Sequence, residues 1–464
     1  MKFYNREKEL AYIKEKINSN YSEFIYIYWR RRIWKTTLVK KALENKVFLY
    51  FYIWKKTKKE ILGDLQFELE KKWFFLPWEF RNFRDFLEFI FRQKDLIVVF
   101  DEFQNFFEVD KTFFWDLQNY WDNYKDKINI KFFFLGSMFT LIKKIFEDYA
   151  EPLYWRKTWF LKLEKFSLQT QREILKDLKV FSHKNLVSYF SVLYWVPKYY
   201  ETLIREKKIK MSVLENIFME NSIFLNEWKN IIIEEFSWNH KNYFSILTAI
   251  SLWKTKKNEI ASYTGIKTET LWRYLQDLEK YYELISRQTP IFTMKEKSKL
   301  SRYEINDLFL KFWFRYIYKR KDLIELGNID LLKQYVENDF STFLGHSFEK
   351  FCKEIFIENN KIWEKKEFIF TKIGSYWNRQ EFEIDIVLHN EFEKKNIIIE
   401  CKLSENKITK QACEKLIENS EKIKEIVTQE KKLYFFTIEK LTKQKEDLLK
   451  KYNIWNLSVQ TFIN

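Results

Sequence analysis

The chain has 464 residues, 46% of them hydrophobic, with 82 Lys+Arg against 66 Asp+Glu and a net charge of +16. That length allows about three domains, and no uninterrupted apolar run is long enough to span a bilayer, so no membrane partner is expected. Cys352, Cys401 and Cys413 show no CxxC pairing and the four histidines are scattered, which argues against a disulfide framework or a zinc site. The N-terminus has no signal-peptide apolar region, and a cytoplasmic location is expected. The basic balance suggests an anionic partner, nucleic acid first; the lysine bias of an A+T-rich gene would give the same balance without any function. Glycine is scarce: 6 Gly stand beside 18 Trp, whereas average usage is about 7% Gly.

The first informative segment is Tyr28–Thr37, Tyr-Trp-Arg-Arg-Arg-Ile-Trp-Lys-Thr-Thr. A phosphate-binding P-loop is written GxxxxGK followed by Ser or Thr. Lys35 and Thr36 occupy the positions of its lysine and its Mg²⁺-binding hydroxyl, between a buried-strand run, Phe24–Tyr28, and a helical pattern from Thr37. Both glycine positions, Trp29 and Trp34, are tryptophan. Glycine belongs there because backbone N–H groups must close around phosphate with φ values that Trp tolerates poorly. The candidate nucleotide-binding set is Trp29, Arg30, Arg31, Arg32, Ile33, Trp34, Lys35, Thr36 and Thr37. Either the loop is dead, or the gene reads UGA as glycine, as some bacteria with reduced genomes do, and the codon is printed as tryptophan. Trp155, Trp195 and Trp377 also stand where a turn or loop wants glycine, whereas Trp121 and Trp313 lie in core-like apolar patterns.

A second strand pattern, Leu96–Phe100, ends in Asp101-Glu102, the Walker B arrangement. A buried parallel strand delivers such an Asp to the Mg²⁺ shell. The next acid, Glu102, can orient the attacking water. A third strand, Lys131–Leu135, ends in Gly136-Ser137, where Ser137 can sense the γ-phosphate. Arg156 is a candidate arginine finger; a solvated arginine is the plain alternative.

Asn5-Arg6-Glu7, Arg30-Arg31-Arg32 in the near-P-loop, Asp101-Glu102-Phe103-Gln104, Gly136-Ser137, Pro152–Arg156 and Trp195-Val-Pro-Lys-Tyr together resemble the archaeal ATPase family, an AAA-like branch of P-loop ATPases also found in bacteria. In that family the positions of Trp29, Trp34, Trp155 and Trp195 are usually glycine. The resemblance implies an ATP-binding core over 1–165 and a helical lid over 166–235.

Residues 242–290 read helix, helix, turn, helix, extended chain. The turn is Thr264–Lys267, and Leu271, Tyr274, Leu275 and Leu278 mark the apolar face of the following helix. The opposite face offers Lys267, Thr270 and Arg273. This is helix-turn-helix grammar, giving an expected winged helix over 236–295 for DNA or for protein packing. An aromatic helical connector is expected over 296–340, and its Arg302-Tyr303, Asp307 and Phe312–Phe314 match the same family.

From residue 341 the pattern changes again. A helix carries Glu349, one strand carries Asp385, and the next carries Glu400 and Lys402, a D-x14-E-x-K spacing. Residues two apart on a strand share a face, so Asp385, Glu400 and Lys402 converge. Two carboxylates can hold a divalent metal while the lysine activates water. The pattern resembles the restriction-endonuclease-like PD-(D/E)xK fold, including its helical Glu349; solubility residues or a dead nuclease are the alternatives. The expected molecule is therefore an α/β protein: a P-loop NTPase sheet, a lid, a winged helix and a nuclease-like domain over 341–464. Its cofactors are ATP and Mg²⁺, held by Thr36 and Asp101. Glu349, Asp385 and Glu400 form the candidate second metal set, and DNA is the expected partner, with a homo-oligomer left open. A non-hydrolytic, nucleotide-controlled DNA-binding regulator or defence-type sensor is the rival.

Overall fold

The computed structural model describes residues 4–28, 35–72, 74–76, 79–136, 139–163, 165–205, 209–219, 222–225, 240–293, 298, 300–360, 368–379 and 382–463. Trp29–Trp34 and Ser137 lie outside the described residues. The chain divides into two compact units: Met1–Phe166 with Val196–Lys198, and Ser167–Trp195 with Tyr199–Asn464.

The first unit is a five-stranded sheet of β1 (Glu23–Tyr28), β2 (Leu49–Tyr52), β3 (Asp95–Asp101), β4 (Asn129–Gly136) and β5 (Trp159–Lys162). The spatial order is β2-β3-β4-β1-β5, and every neighbouring pair is parallel. Such a sheet needs helices on both faces, so its strands read as continuous apolar runs; all six residues of β1 are buried. One face packs Phe24, Phe100, Phe132 and Phe134 into a single core with Phe103, Phe106 and Phe146, Phe100 and Phe134 stacking at 5.8 Å between ring centroids. Each such ring contributes about 1.5–3 kcal/mol by burial. The chain leaves the C-terminal end of β1, crosses β4 and β3 to reach β2, and returns inward. This reversal places the ends of β1, β3 and β4 around one crevice, where open α/β sheets bind ligands.

The second unit begins with helices Leu168–Asp177 and His183–Leu193, capped by Ser167 and Ser182. Helices His240–Ser251, Lys257–Thr264 and Thr268–Gln276 follow. Gly265, at φ +71°, ends the second of these, a left-handed cap that suits glycine. Then β6 (Ile285–Gln288) pairs antiparallel with β7 (Arg302–Ile305). Residues 302–305 are thus strand rather than the start of a helical connector. Tyr303 and Ile305 are buried and alternate with Arg302 and Glu304, a period of two that the aromatic run masks. Helix begins only at Leu308, where Asp307 caps by accepting from Leu310 N at 3.1 Å. The helix carrying Glu349 runs unbroken from Ile329 to Asn359, so residue 341 is not an element boundary. The C-terminal sheet contains β8 (Lys372–Trp377), β9 (Glu383–Asn390), β10 (Lys395–Lys402), β11 (Glu430–Thr437) and β12 (Ile454–Ser458), ordered β12-β11-β10-β9-β8. It is mixed: β8, β9 and β10 are antiparallel, and β10, β11 and β12 parallel.

The tryptophans separate by backbone and partner. Trp121 is a core residue, and Trp313 Nε1 donates to Leu225 O at 3.4 Å. Trp377 corrects the expectation of a turn glycine: it lies on β8, buried, with Nε1 donating to Leu300 O at 2.8 Å. Trp195 is also fully packed, edge-on to Phe190 at 4.9 Å. Trp155 and Trp253 are different, with φ of +63° and +66°, where a bulky L-residue costs roughly 1–2 kcal/mol. After helix His240–Ser251, Trp253 N bonds to Ile250 O and Lys254 N to Ala249 O, both at 3.1 Å. That is the Schellman pairing, whose left-handed residue is ordinarily glycine. The Trp253 indole nitrogen is buried without a hydrogen-bond partner.

Candidate functional site

At the crevice of the first unit, Thr36 lies in the first turn of helix Lys35–Ala42 and Asp101 ends β3. Thr36 Oγ1 donates to Asp101 Oδ2 at 2.5 Å, and the Tyr50 hydroxyl donates to the same oxygen at 2.6 Å. Glu102 N donates to Asp101 Oδ1 at 3.0 Å. Lys35, Asp101 and Glu102 are all buried. Burial, then the charge of Asp101, push the Tyr50 phenol far above its ordinary range, so it stays a neutral donor. Glu102 adopts φ +55°, and Gln104 Nε2 donates to its carboxylate. A non-glycine residue held left-handed at a strand end is strained, a feature that clusters at functional sites. Gly136 closes the crevice beside Gln104: a Cβ there would overlap the Ile142 side chain and stand 2.8 Å from Gln104 Oε1. The donor set fits Mg²⁺, a hard cation that takes hydroxyl and carboxylate oxygen. Tyr50 was not foreseen; its only sequence signal is the short apolar run Leu49–Tyr52, which sheet pairing brings beside β3.

Arg156 is not brought to this crevice. Its Nη2 lies 3.1 Å from Asp122 Oδ2, and Nη1 donates to Tyr154 O at 2.8 Å. Thr158 N pairs with Phe24 O at the start of β1. Because β5 runs parallel to β1, the segment before it falls at the sheet's N-terminal edge. The six residues of β1, at about 3.3 Å each, separate that edge from the crevice. Within one chain Arg156 therefore cannot act as the finger.

In the second unit, Asp385 on β9 faces β10 and accepts from Cys401 N at 2.8 Å. Lys402 Nζ sits 2.7 Å from Glu400 Oε1. Burial first, then the charges of Glu349 and Glu400, hold the Asp385 carboxyl well above the usual range. Glu349 is pushed up to about 7, again mainly by burial, with Glu383, Glu304 and Glu400 adding and Lys353 opposing. Such mutual repulsion marks a place where a cation would relieve the field. Yet among the described residues no group of three or more His, Cys, Asp or Glu is placed to hold a metal ion. The expected set Glu349, Asp385 and Glu400 is electrostatically coupled but not assembled as ligands: Glu400 is occupied by Lys402, and Asp385 by the β10 backbone.

The parallel sheet with Thr36 against Asp101 defines an α/β protein with a P-loop NTPase core and an additional C-terminal mixed-sheet domain. Residues 3–187 match the family described as an ATPase domain predominantly from Archaea. Residues 313–416 match a family described as archaeal and bacterial proteins of unknown function. An uncharacterized protein of Methanocaldococcus jannaschii is 33% identical over 408 residues, covering 86% of this chain and 87% of that protein. An uncharacterized ATP-binding protein of the same organism is 50% identical over 44 residues, 10% of this chain and 75% of that protein. Among solved structures, the Walker-type ATPase of Pyrococcus abyssi is 19% identical and covers 67% of this chain and 96% of its own, with a TM-score of 0.48. The Aeropyrum pernix ORC2 protein is 14% identical over 73% of this chain and 96% of its own, at 0.45. The chain belongs to the archaeal-type ATPases that join this ATPase domain to a C-terminal region of unknown function. No helix among the described residues is long and apolar enough to cross a membrane.

Proposed function

We propose that the chain is an ATP hydrolase whose turnover drives a DNA-associated second unit. The observation that carries this reading is the convergence of Thr36 and Asp101, with strained Glu102 beside them. Lys35 would neutralise the β- and γ-phosphates, Thr36 and Asp101 would hold Mg²⁺, and Glu102, steadied by Gln104, would orient the attacking water. Ser137 would sense the γ-phosphate, and Arg156 could reach a nucleotide only from a neighbouring copy of the chain. The reading requires glycine at positions 29 and 34. The left-handed backbones of Trp155 and Trp253 support it, since both are glycine conformations in a glycine-poor chain. DNA as partner is supported by the basic balance and by three helices followed by an antiparallel strand pair, with Lys267, Thr270 and Arg273 exposed; these residues would form a winged helix.

One observation favours a second reading of the C-terminal domain. Since Glu349, Asp385 and Glu400 are not assembled around a cation position, that domain would act as a nuclease-like clamp without cutting, and the nucleotide would set its conformation. Incubation of the chain carrying Gly at 29 and 34 with plasmid and branched DNA in Mg²⁺ or Mn²⁺ tests this. Nicking that Asp385→Ala abolishes while ATP turnover persists would establish an active nuclease; salt-sensitive binding without nicking establishes the clamp.

A further inference from the structure

We infer that the second unit carries a binding cleft for a single nucleic-acid strand, distinct from the exposed face of Lys267, Thr270 and Arg273. The inference rests on the nucleic-acid reading above and assigns it a place. A cleft of about 810 Å³ lies among Lys256, Lys257, Trp272, Arg287, Arg302 and Arg379. They come from two helices, two strands and the segment after β8, and no carboxylate is among the described residues that line the cleft. Two of these cations have acid partners: Lys256 lies 3.9 Å from Glu259, and Arg302 Nη1 contacts both Glu383 oxygens at 2.9 Å. The side-chain cations of Lys257, Arg287 and Arg379 have no carboxylate partner among the described residues, although Glu279 Oε1 accepts from Arg287 N at 3.3 Å, and Arg287 Nε is buried without a hydrogen-bond partner. Such a concentration of uncompensated positive charge calls for an anion.

The aromatic groups say which anion. Trp272 is 39% exposed at the cleft, with Lys257 Nζ 5.5 Å from its ring centroid. It shares a helix face with Thr268, one turn earlier, while Leu271 and Leu275 are buried. Position 272 has none of the left-handed backbone of Trp155 and Trp253, so it is read as tryptophan. Deeper in, Arg302 lies 4.6 Å over the ring of Trp377. An open indole flanked by cations is a stacking platform for an unpaired base, with phosphate clamps on either side. In a duplex the base faces are already stacked and could not use it. The volume lies within the range of about 300–1,000 Å³ that pockets for small ligands occupy, enough for a short stretch of strand and too little for a duplex. Glu383 on β9, the partner of Arg302, lies two residues from Asp385 on the same strand, roughly 7 Å away.

Fluorescence anisotropy of the full chain with labelled oligo-dT, oligo-rU and a duplex of equal length tests the site. The single strand should bind more tightly than the duplex, and the better of the deoxy and ribo strands names the source. Trp272→Ala should weaken strand binding about tenfold, and Trp272→Phe should restore most of it. Joint Lys257→Glu and Arg379→Glu should lower the salt slope by about 0.7 for each phosphate no longer neutralised. Arg273→Glu, on the other exposed side of the helix, should leave strand binding unchanged. Parent-level binding in both Trp272→Ala and the charge-reversed variant, with strand binding intact in the parent, would overturn the cleft alone. Absence of any nucleic-acid binding by the parent would overturn the cleft and the DNA reading together.

Discussion

Thr36 and Asp101, 65 positions apart in the chain, are joined by a 2.5 Å hydrogen bond between the first turn of helix Lys35–Ala42 and the C-terminal end of β3. Tyr50 makes the second donor to the same carboxylate oxygen. A hydrogen bond to a charged group is worth about 1.5–3 kcal/mol. Tyr50→Phe should lower stability by about that much in urea unfolding, and should leave nucleotide binding largely intact because Thr36 and Asp101 remain. Thr36→Ala should instead weaken Mg²⁺-dependent nucleotide binding at least about tenfold, read by titrating a fluorescent ATP analogue with and without the metal.

Gly136 is the point of closest approach beside this pair. Ala at 136 would push its methyl into Ile142 and against Gln104 Oε1. Overpacking of this kind costs about 1–3 kcal/mol. Gly136→Ala should lower Tm, and adding Ile142→Val should recover part of the loss. A Gly136→Ala protein as stable as the parent would contradict the packing described.

Trp155 is 77% exposed and left-handed. Little packing is lost on its removal, while the backbone strain is relieved. Trp155→Gly should therefore raise stability by up to about 1–2 kcal/mol. Peptide mass spectrometry of protein purified from its native source should find glycine at 29, 34 and 155. Tryptophan at 29 and 34 in that material would sink the recoding idea.

Lys311 gives a pH signature. In the chain that carries Trp at 253 it is buried, 3.9 Å from Glu304 Oε1 and 3.9 Å from the centroid of Trp253. Burial lowers it from 10.5 to about 8, with Glu304 opposing and Lys350 and Arg315 assisting. Between about 8 and 10.5 the unfolded chain binds more protons than the native one, so this group's contribution to stability rises with pH and is lost as pH falls through about 8. The stability of the parent relative to Lys311→Met should thus increase from pH 7 to pH 10 in paired urea titrations. A difference that stays flat over that range would contradict the assignment.

The parallel core was legible because strands buried on both faces must be continuously apolar, and Phe24–Tyr28, Leu96–Phe100 and Lys131–Leu135 are nearly so. Thr36 and Asp101 were legible because each ends or follows such a run. Tyr50 was not, since its role depends on which strand lies beside β3, and register is set by the whole sheet. Where Arg156 lies was not legible for the same reason: its type suits a finger, but the direction of β5 puts it at the far edge of its own sheet. Residues 302–305 read as helix because a long aromatic stretch hides the alternation of Tyr303 and Ile305. Trp377 read as a turn residue from Gly374-Ser375, which turned out to lie within β8. The basic cleft could not be read at all, because its side chains are drawn from positions between 256 and 379 and only tertiary packing collects them.

The central claim is ATP turnover at Lys35, Thr36, Asp101 and Glu102, and a steady-state hydrolysis assay on the chain with glycine at 29 and 34 tests it most directly. The account predicts Mg²⁺-dependent turnover that changes on addition of DNA. It predicts that Lys35→Ala neither binds nor hydrolyses ATP, and that Glu102→Gln binds ATP as the parent does without turning it over. Hydrolysis by Glu102→Gln at the parent rate, or no ATP binding by the glycine-bearing parent, would contradict it.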